Sequence, residues 1–286
     1  MRPECYFCHL KTVEKLIGKF NSDPAQTESF ILSIHELLYH NWQMTNPELA
    51  TRIHRLAREK LNHNNLYLEE KHKANQLLLG QYKDWKSRVD SSDNPLKMAA
   101  KLAVIGNIID YGAHSVADDI TDQINTLLSD ELVIDDTQKL AEGIRQAESV
   151  FYIGDNAGEI VFDKLFIETM QHPNITFAVR GKPVLNDVTV DDTIETSLKD
   201  ICHIVSSGSD SPSTILEYCS EEFIFHFRKA DLIIAKGQGN FEGLMNCNRN
   251  NLFFLLIAKC NPMAELLGVQ SGSMIIKESN SKNYAL

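Results

Sequence analysis

The chain has 286 residues, of which 43% are hydrophobic and 23% charged, and its formal net charge is −11. This composition is typical of a globular protein with one large core or two domains. The acidic balance, without a dense Lys/Arg run, argues against nucleic acid as a partner. No secretory signal and no apolar run of membrane-spanning length is visible, and six cysteines are few for a disulfide scaffold. We therefore expect a reduced, cytoplasmic protein that does not bind membranes.

The first half of the chain has the pattern of helices. Residues 56–89 are rich in Leu, Lys, Glu and Gln, with apolar residues at helical spacing. Asn94-Pro95 interrupts the pattern before a second apolar helical stretch over residues 96–114. We predict an all-helical N-terminal domain over residues 1–145, part of which packs over the functional site.

From residue 148 the pattern changes to short apolar runs separated by helical segments. The runs are VFYIG (150–154), ITFAVRG (175–181), HIVSSG (203–208), DLIIAKG (231–237) and LFFLLIA (252–258), with SMIIK (273–277) as a possible late strand. Helical patterns over residues 159–171 and 212–230 separate some of them. Near-continuous apolar strands that alternate with helices indicate a parallel sheet covered on both faces. We predict the α/β class, with a three-layer α/β/α sandwich and a mostly parallel sheet over residues 146–286.

Acidic and amide side chains follow the predicted strands, where an open parallel sheet binds its ligands. Asp155 and Asn156 follow the first strand, Glu159 comes just after them, and Asp187 lies beyond the second strand. The oxygen atoms of Asp155, Asn156 and Asp187 suit Mg²⁺ or Mn²⁺. The same residue types are also common in turns and helix caps that bind no ligand.

Cationic and glycine-rich positions follow the same strands. Arg180 follows the second strand, and Lys236 follows the fourth, directly before Gly237, Gly239 and Asn240. Such a set suits an anion such as phosphate. A solvated lysine is the alternative for Lys236, but the two glycines favour a loop that lets backbone approach a ligand.

The motif GNIIDYG, residues 106–112, is unusually polar for an apolar helical stretch. Asn107 and Asp110 are three residues apart and so share one helical face. One interpretation is a polar helix end with Gly112 as its cap. The other is a face that closes over the sheet and contacts the substrate.

The N-terminus carries Cys5-x-x-Cys8. This pair is half of a zinc site or a redox pair in one interpretation, but a structural zinc ion needs four ligands and no second CxxC exists. Ordinary free thiols are the other interpretation, and they are the better one for the remaining cysteines.

Four motifs together resemble the metal-dependent damage-control phosphatases, formerly a family of domains of unknown function. They are GDNAGE (154–159), RGKPVLND (180–187), KGQGNFE (236–242) and GNIIDYG (106–112), and the N-terminal CYFC is similar to the CxxC of the prokaryotic subfamily. The resemblance spans the chain from Met1 to about residue 270. It implies an α/β/α sandwich with a helical domain, and a divalent metal bound by Asp155, Asn156 and Asp187.

The reaction implied is hydrolysis of small phosphorylated metabolites, such as sugar phosphates or damaged phosphometabolites. The ion, Mg²⁺, Mn²⁺, Co²⁺ or Ni²⁺, would neutralise phosphate charge, with Lys236 and Arg180 on the remaining oxygens and Gly237 donating a backbone N–H. Asn240, Asn107 and Asp110 complete the predicted substrate-binding set. Glu159 would position water. Whether water or the carboxylate of Asp155 attacks phosphorus is left open.

Two other functions are compatible with parts of the pattern. An S-adenosylmethionine-dependent carboxyl methyltransferase would use the strand–GDNAGE–helix unit as its nucleotide loop. That loop has only Gly154 and Gly158, and Arg180 stands where such folds place a ribose-binding acid. A non-catalytic protein that binds metal or a phosphometabolite is the second alternative. The physiological substrate, the preferred metal and the oligomeric state are not readable from the sequence.

Overall fold

The computed structural model describes residues 2–20, 23–62, 65–106 and 117–279. Asn107 and Asp110, the predicted polar contacts of the helical half, lie outside these ranges, so their role stays a prediction.

Helices dominate the described residues before the sheet, as predicted. Thr45 and Glu48 form a capping box at the start of one helix, and the Asn94 side chain accepts the N–H of Lys97 at the start of another. Proline lies in the first turn after both caps, where no helical N–H bond is lost. The helices are α1 (Pro3–Phe20), α2 (Pro24–His40), α3 (Asn46–Lys60), α4 (Leu68–Gly80), α5 (Tyr82–Asp90), α6 (Pro95–Ile105), α7 (Ala117–Ser129) and α8 (Thr137–Gln146).

Seven strands of the described chain form one sheet, in the order β1-β7-β6-β5-β2-β3-β4. Their bounds are β1 (Ile134–Asp135), β2 (Val150–Ile153), β3 (Ile175–Val179), β4 (His203–Ser206), β5 (Leu232–Lys236), β6 (Leu252–Ile257) and β7 (Met274–Glu278). Neighbouring strands are parallel except β6 and β7, which are antiparallel. The predicted α/β class with a mostly parallel sheet is confirmed. The short strand β1, inside the predicted helical half, was not expected.

Helices cover both faces of the sheet. Along β2, Val150 and Tyr152 point into one hydrophobic cluster, and Phe151 and Ile153 point into another. Helices α4–α8 pack in the first cluster with α9 (Glu159–Met170), and three helices pack in the second: α11 (Glu221–Lys229), α12 (Gly237–Leu244) and α13 (Asn261–Leu267). The short helix α10 (Val190–Glu195) lies between β3 and β4 along the chain.

Helices α1–α3 enclose a cluster of their own. Helices α6–α8 lie almost wholly within the predicted helical domain of residues 1–145, yet they share a core with the sheet. The division of the chain into domains at that residue stays a prediction.

One helical prediction in the second half is wrong in part. Residues 212–220 precede α11 and contain only a single 3-10 turn at Leu216–Tyr218. The side chain of Ser220 accepts the N–H of Phe223 and so caps α11, while the Ser220 N–H donates to the carbonyl of Ser207. These bonds start the helix at Glu221 and leave the preceding residues as a loop.

The order of the strands fixes where a ligand can bind. From β2 the chain continues through β3 and β4 on one side, and it then crosses to β5 and β6 on the other. In open parallel sheets, crossovers that diverge in this way form a crevice beyond the carboxyl ends of the strands, and the switch point here lies between β2 and β5. The motifs that begin at Gly154 and Lys236 lie at these two strand ends.

No helix among the described residues combines the length and the apolar character needed to cross a membrane.

Candidate active site

The backbone after β2 brings two distant motifs together. Val188 donates its N–H to the carbonyl of Asp155 at 2.8 Å, and Ala157 donates to the carbonyl of Asn186 at 2.8 Å. An isolated antiparallel bridge therefore pairs Asn156 with Asp187. The predicted metal ligands from the two motifs are thus neighbours in the folded chain.

The side chains of the Asp-Asn pair are buried and linked to Glu159. Asn156 donates its amide Nδ2 to Asp155 Oδ2 at 2.8 Å and to Glu159 Oε2 at 3.2 Å. Two carboxylates thereby fix the amide plane, and the other amide atom, the carbonyl Oδ1, is the one that a hard cation would bind. Asp155 and Asp187 are 6% and 2% exposed, so this group lies almost wholly beneath the surface.

Negative charge accumulates in this buried group. Burial, then the charges of Asp187 and Glu159, raises the pKa of Asp155 well above its usual range. A divalent cation among these oxygen atoms would neutralise the charge that the fold collects here. The donor set of Asp155, Asn156 and Asp187 therefore fits the implied ion.

Arg180 lies behind Asp187 and is 3% exposed. Its Nε donates to Asp187 Oδ2 at 2.6 Å, one terminal nitrogen donates to Asn240 Oδ1 at 2.9 Å, and the other contacts Thr214 Oγ1 at 3.4 Å. Arg180 thus orients a predicted metal ligand. The contact of Arg180 with phosphate stays a prediction. The guanidinium nitrogens already contact side-chain oxygen atoms of the protein, so a phosphate would have to share these N–H donors with them.

Lys236 is fully buried at the end of β5. Its Nζ donates to the carbonyl of Ala103 at 2.7 Å, to Asp163 Oδ1 at 2.6 Å and to Glu159 Oε1. Three acceptors therefore match the three N–H groups of an ammonium. Tyr152 also donates to Asp163 Oδ1, at 2.6 Å. The predicted phosphate contact of Lys236 stays a prediction and would require one of these bonds to open.

The charges in this network compensate each other. Burial opposes the charge of Lys236, but the carboxylates of Asp163 and Glu159 outweigh burial and raise the lysine pKa. Burial also raises the pKa of Asp163 to about 6, although Lys236 acts against it. The network is a buried ion cluster that fixes one oxygen of Glu159, while Asn156 contacts the other.

Gly237 begins α12 with a positive φ of 74°. A Cβ at this position would collide with the carboxylate of Asp155, so the close approach of the two strand ends requires glycine. The N-terminus of an eight-residue helix, with its free N–H groups and positive dipole end, thus adjoins the acidic group.

Asn240, on α12, ties the two strand ends together. Its Nδ2 donates to the carbonyl of Gly154 at 3.1 Å and to the carbonyl of Lys236 at 2.8 Å. Its Oδ1 accepts from Arg180 and from Thr214 Oγ1. The structure therefore shows Asn240 as a support for the site, and its predicted substrate contact stays a prediction.

One cationic residue near the site, Lys259, was not among the residues predicted from the sequence. Lys259 lies two residues beyond β6, the neighbour of β5, and its side chain is exposed. Burial raises the pKa of Asp155, and the charge of Lys259 acts in the opposite direction. The sequence signal was available, because Lys259 follows an apolar strand just as Lys236 does.

Lys259 also borders a cavity of about 930 Å³ between α1, α3 and α12. The thiols of Cys5, Cys8 and Cys260 line it, and each is free. Burial raises the pKa of Cys5 and of Cys8. The CxxC pair thus lies close to α12, the helix that begins at the candidate active site.

Comparison with known proteins identifies the family. Residues 1–275 match the model of the damage-control phosphatase ARMT1-like domain. An uncharacterised protein of Methanocaldococcus jannaschii is 35% identical over 96% of this chain and 94% of its own length. A damage-control phosphatase of Archaeoglobus fulgidus is 34% identical, over 81% of this chain and 82% of its own length.

Pyrococcus horikoshii supplies a relative known both in sequence and in structure. Its damage-control phosphatase is 39% identical over 65% of this chain and 66% of its own length. The crystal structure of a DUF89 family protein from the same organism superposes with a TM-score of 0.88, at 29% identity, over 98% of this chain and 99% of that one. These matches confirm the predicted family and support a phosphatase that acts on phosphorylated metabolites. The chain belongs to the damage-control phosphatase family with the ARMT1-like domain.

Proposed function

We propose that this chain is a metal-dependent phosphatase that hydrolyses small phosphomonoesters. The observation that carries the proposal is the pairing of Asn156 with Asp187, which gathers the three buried, oxygen-bearing side chains of Asp155, Asn156 and Asp187. The ion held by Asp155, Asn156 and Asp187 would, when bound, neutralise charge on the phosphate and polarise its oxygens. The donor set favours Mg²⁺ or Mn²⁺, and Co²⁺ or Ni²⁺ are further candidates.

The chain's own residues hold this site in a fixed geometry. Glu159, anchored by Lys236, accepts from Asn156 and so sets the direction of its carbonyl oxygen. Arg180 holds one oxygen of Asp187 in the same way. Preorganisation of this kind removes the cost of ordering ligands during the reaction.

Cationic groups beside the acidic group would bind the phosphate. Lys259 is exposed at the edge of the site, and the N-terminus of α12 at Gly237 offers backbone N–H groups. We assign the first contact with the phosphate to these two, since Lys259 is exposed to solvent, whereas Lys236 and Arg180 are buried. The attacking group is a water positioned by Glu159 or the carboxylate of Asp155, and the stereochemical outcome with a substrate that is chiral at phosphorus distinguishes them. Direct attack by water inverts the configuration at phosphorus, whereas two successive displacements through an aspartyl-phosphate retain it.

Release of inorganic phosphate tests the function. The substrates are p-nitrophenyl phosphate and a panel of sugar phosphates, with metal-stripped protein in the presence and absence of Mg²⁺, Mn²⁺, Co²⁺ or Ni²⁺. We expect turnover only with added ion, and a loss of at least about a hundredfold in Asp155→Ala. Asp231→Ala, which removes an exposed carboxylate bonded to Ser149, is the matched control. Folded protein that binds the ion but releases no phosphate from any substrate would favour the non-catalytic binding protein instead.

A further inference from the structure

Three side chains that bind metals in other proteins meet at the start of β4, the edge strand of the sheet. His203 is the first residue of β4, and Glu222 and His226 lie one turn apart on α11. Two imidazole nitrogens and one carboxylate oxygen from these residues all lie within 4.8 Å of one another. His203 and Glu222 are exposed and His226 is half-buried, so an ion can reach the cluster from solvent.

The two elements that carry this cluster are joined by bonds that need no ion. Ser220, the cap of α11, donates its N–H to the carbonyl of Ser207 at 2.7 Å and its Oγ–H to the carbonyl of Ser206 at 2.9 Å. The imidazole of His226 stacks on the ring of Phe151, with centroids 5.9 Å apart and 19° between the planes. The ligands therefore project from a preformed junction of strand and helix, which lowers the cost of ordering them around an ion.

The chemistry of the cluster selects the class of ion. Two imidazoles with one carboxylate favour Zn²⁺, Ni²⁺, Co²⁺ or Cu²⁺ over Mg²⁺. Ligand bonds of about 2.0–2.1 Å around zinc bring donor atoms to roughly 3.3 Å from each other, so rotamer adjustment closes the present arrangement.

This cluster is separate from the candidate active site. His203 begins β4, whereas Asp155 and Asp187 follow the carboxyl ends of β2 and β3. The four residues of β4 span roughly 10 Å along the strand direction. We infer that His203, Glu222 and His226 form a second divalent-metal site, specific for transition-metal ions, that fastens α11 to the edge strand. The inference does not depend on the proposed phosphatase reaction.

Zinc titration of the full-length chain tests the inference. A chromophoric chelator that competes for Zn²⁺ reports the number of ions bound and their affinity, and the protein is stripped of metal beforehand. The background is the triple variant Asp155→Ala/Cys5→Ser/Cys8→Ser, which weakens binding of the proposed catalytic ion and removes two thiols that bind Zn²⁺ well, so that the ion at His203, Glu222 and His226 is measured by itself. In that background we expect one bound Zn²⁺, and an affinity at least about tenfold weaker with Glu222→Gln or His203→Ala. His35→Ala removes an exposed histidine from α2 and should leave the affinity unchanged.

A second readout separates binding from any effect on folding. The histidine ring signals of His203 and His226 in NMR spectra should shift on addition of Zn²⁺ but not of Mg²⁺. His203 is exposed, so His203→Ala should melt like the wild type without metal, and it should release phosphate at the wild-type rate with Mg²⁺. Equal zinc affinity in His203→Ala and the parent chain would overturn the inference. Loss of Mg²⁺-dependent turnover in His203→Ala would overturn the independence of the two sites.

Discussion

Two segments of nearly the same sequence end at the functional edge of the sheet in opposite environments. LIIAK (232–236) forms β5, and LLIAK (255–259) forms the end of β6 and the two residues after it. Lys236 is fully buried among acidic side chains, whereas Lys259 is exposed. The local sequence therefore does not determine whether a lysine becomes part of a buried ion cluster or a surface cation.

The difference arises from register and from what covers each strand. Lys236 pairs with Leu255, and β6 then continues to Ile257 alongside the antiparallel β7. Lys259 is thereby carried beyond the sheet. Glu159 on α9 and the carbonyl of Ala103 on α6 enclose the Nζ of Lys236. Lys236 is buried because it is the last residue of β5 and is covered by helices, whereas Lys259 is exposed because it lies two residues beyond the end of β6.

The largest expected effect comes from the buried lysine. Lys236→Met leaves Glu159 and Asp163 buried without their cation, so we expect the free energy of unfolding to fall by about 3–5 kcal/mol. Urea denaturation measures the change. Adding Asp163→Asn to Lys236→Met should recover part of the loss, because one unpaired charge is removed. An unfolding free energy equal to the wild type in Lys236→Met would show that the ion cluster contributes nothing.

Substitution of Lys259 should affect substrate binding rather than stability, in contrast to substitution of Lys236. Lys259→Ala removes an exposed cation, so we expect the free energy of unfolding to stay within about 0.5 kcal/mol of the wild type. The KM for a phosphomonoester should rise by about tenfold or more, since a charge-assisted contact to phosphate is lost. Lys259→Arg retains the charge and should restore most of the affinity. Steady-state kinetics with unchanged KM in Lys259→Ala would remove this residue from the substrate site.

The glycine after Lys236 offers a test of the close approach at the switch point. Gly237→Ala combines a positive φ with a collision against Asp155. Gly268→Ala, at the end of α13, has a similar φ of 70° but open space around it, so it reports the backbone cost alone. We expect Gly268→Ala to lose about 1–2 kcal/mol of stability and Gly237→Ala to lose more, with only Gly237→Ala also losing activity. Thermal melts and phosphate release measure the two quantities, and equal activity in the two variants would argue against contact between Gly237 and the reaction centre.

A further expected effect concerns pH. The folded-state pKa of Asp163 is about 6, above its ordinary value of 3.8, because burial disfavours its charge. A raised carboxyl pKa contributes stability at low pH, and this contribution is lost as pH rises from about 4 to about 6. Asp163→Asn stays neutral, so the variant should gain stability relative to the wild type across that window. Urea midpoints at several pH values measure the trend, and a constant difference between the two proteins would contradict it.

The sequence was sufficient for the parts of the site that depend on strand order. Apolar runs ending in polar residues predicted the strands, and the rule for open parallel sheets placed Asp155 and Lys236 at one edge. The antiparallel pairing of β7 was not predictable, because an apolar run shows no direction. The start of α11 was also missed, since it depends on bonds from Ser220 to the distant end of β4.

The partners of the basic residues were the least predictable feature. Glu159 and Asp163 are one helical turn apart, but their convergence on Lys236 requires α9 to pack beside β5. Arg180 likewise reaches Asn240 only through the fold. A sequence shows that acids and bases are present at strand ends, whereas packing decides which of them neutralise each other and which face a ligand.

The most direct test of a catalytic metal is a titration of metal-stripped protein with Mn²⁺, in which electron paramagnetic resonance measures bound ion and phosphate release is measured on the same samples. We expect activity to rise in proportion to occupancy of one site, and Asp187→Asn to lower the affinity for Mn²⁺ and the activity together. Full activity in Asp187→Asn, or turnover by protein without any bound ion, would contradict a catalytic metal at Asp155, Asn156 and Asp187.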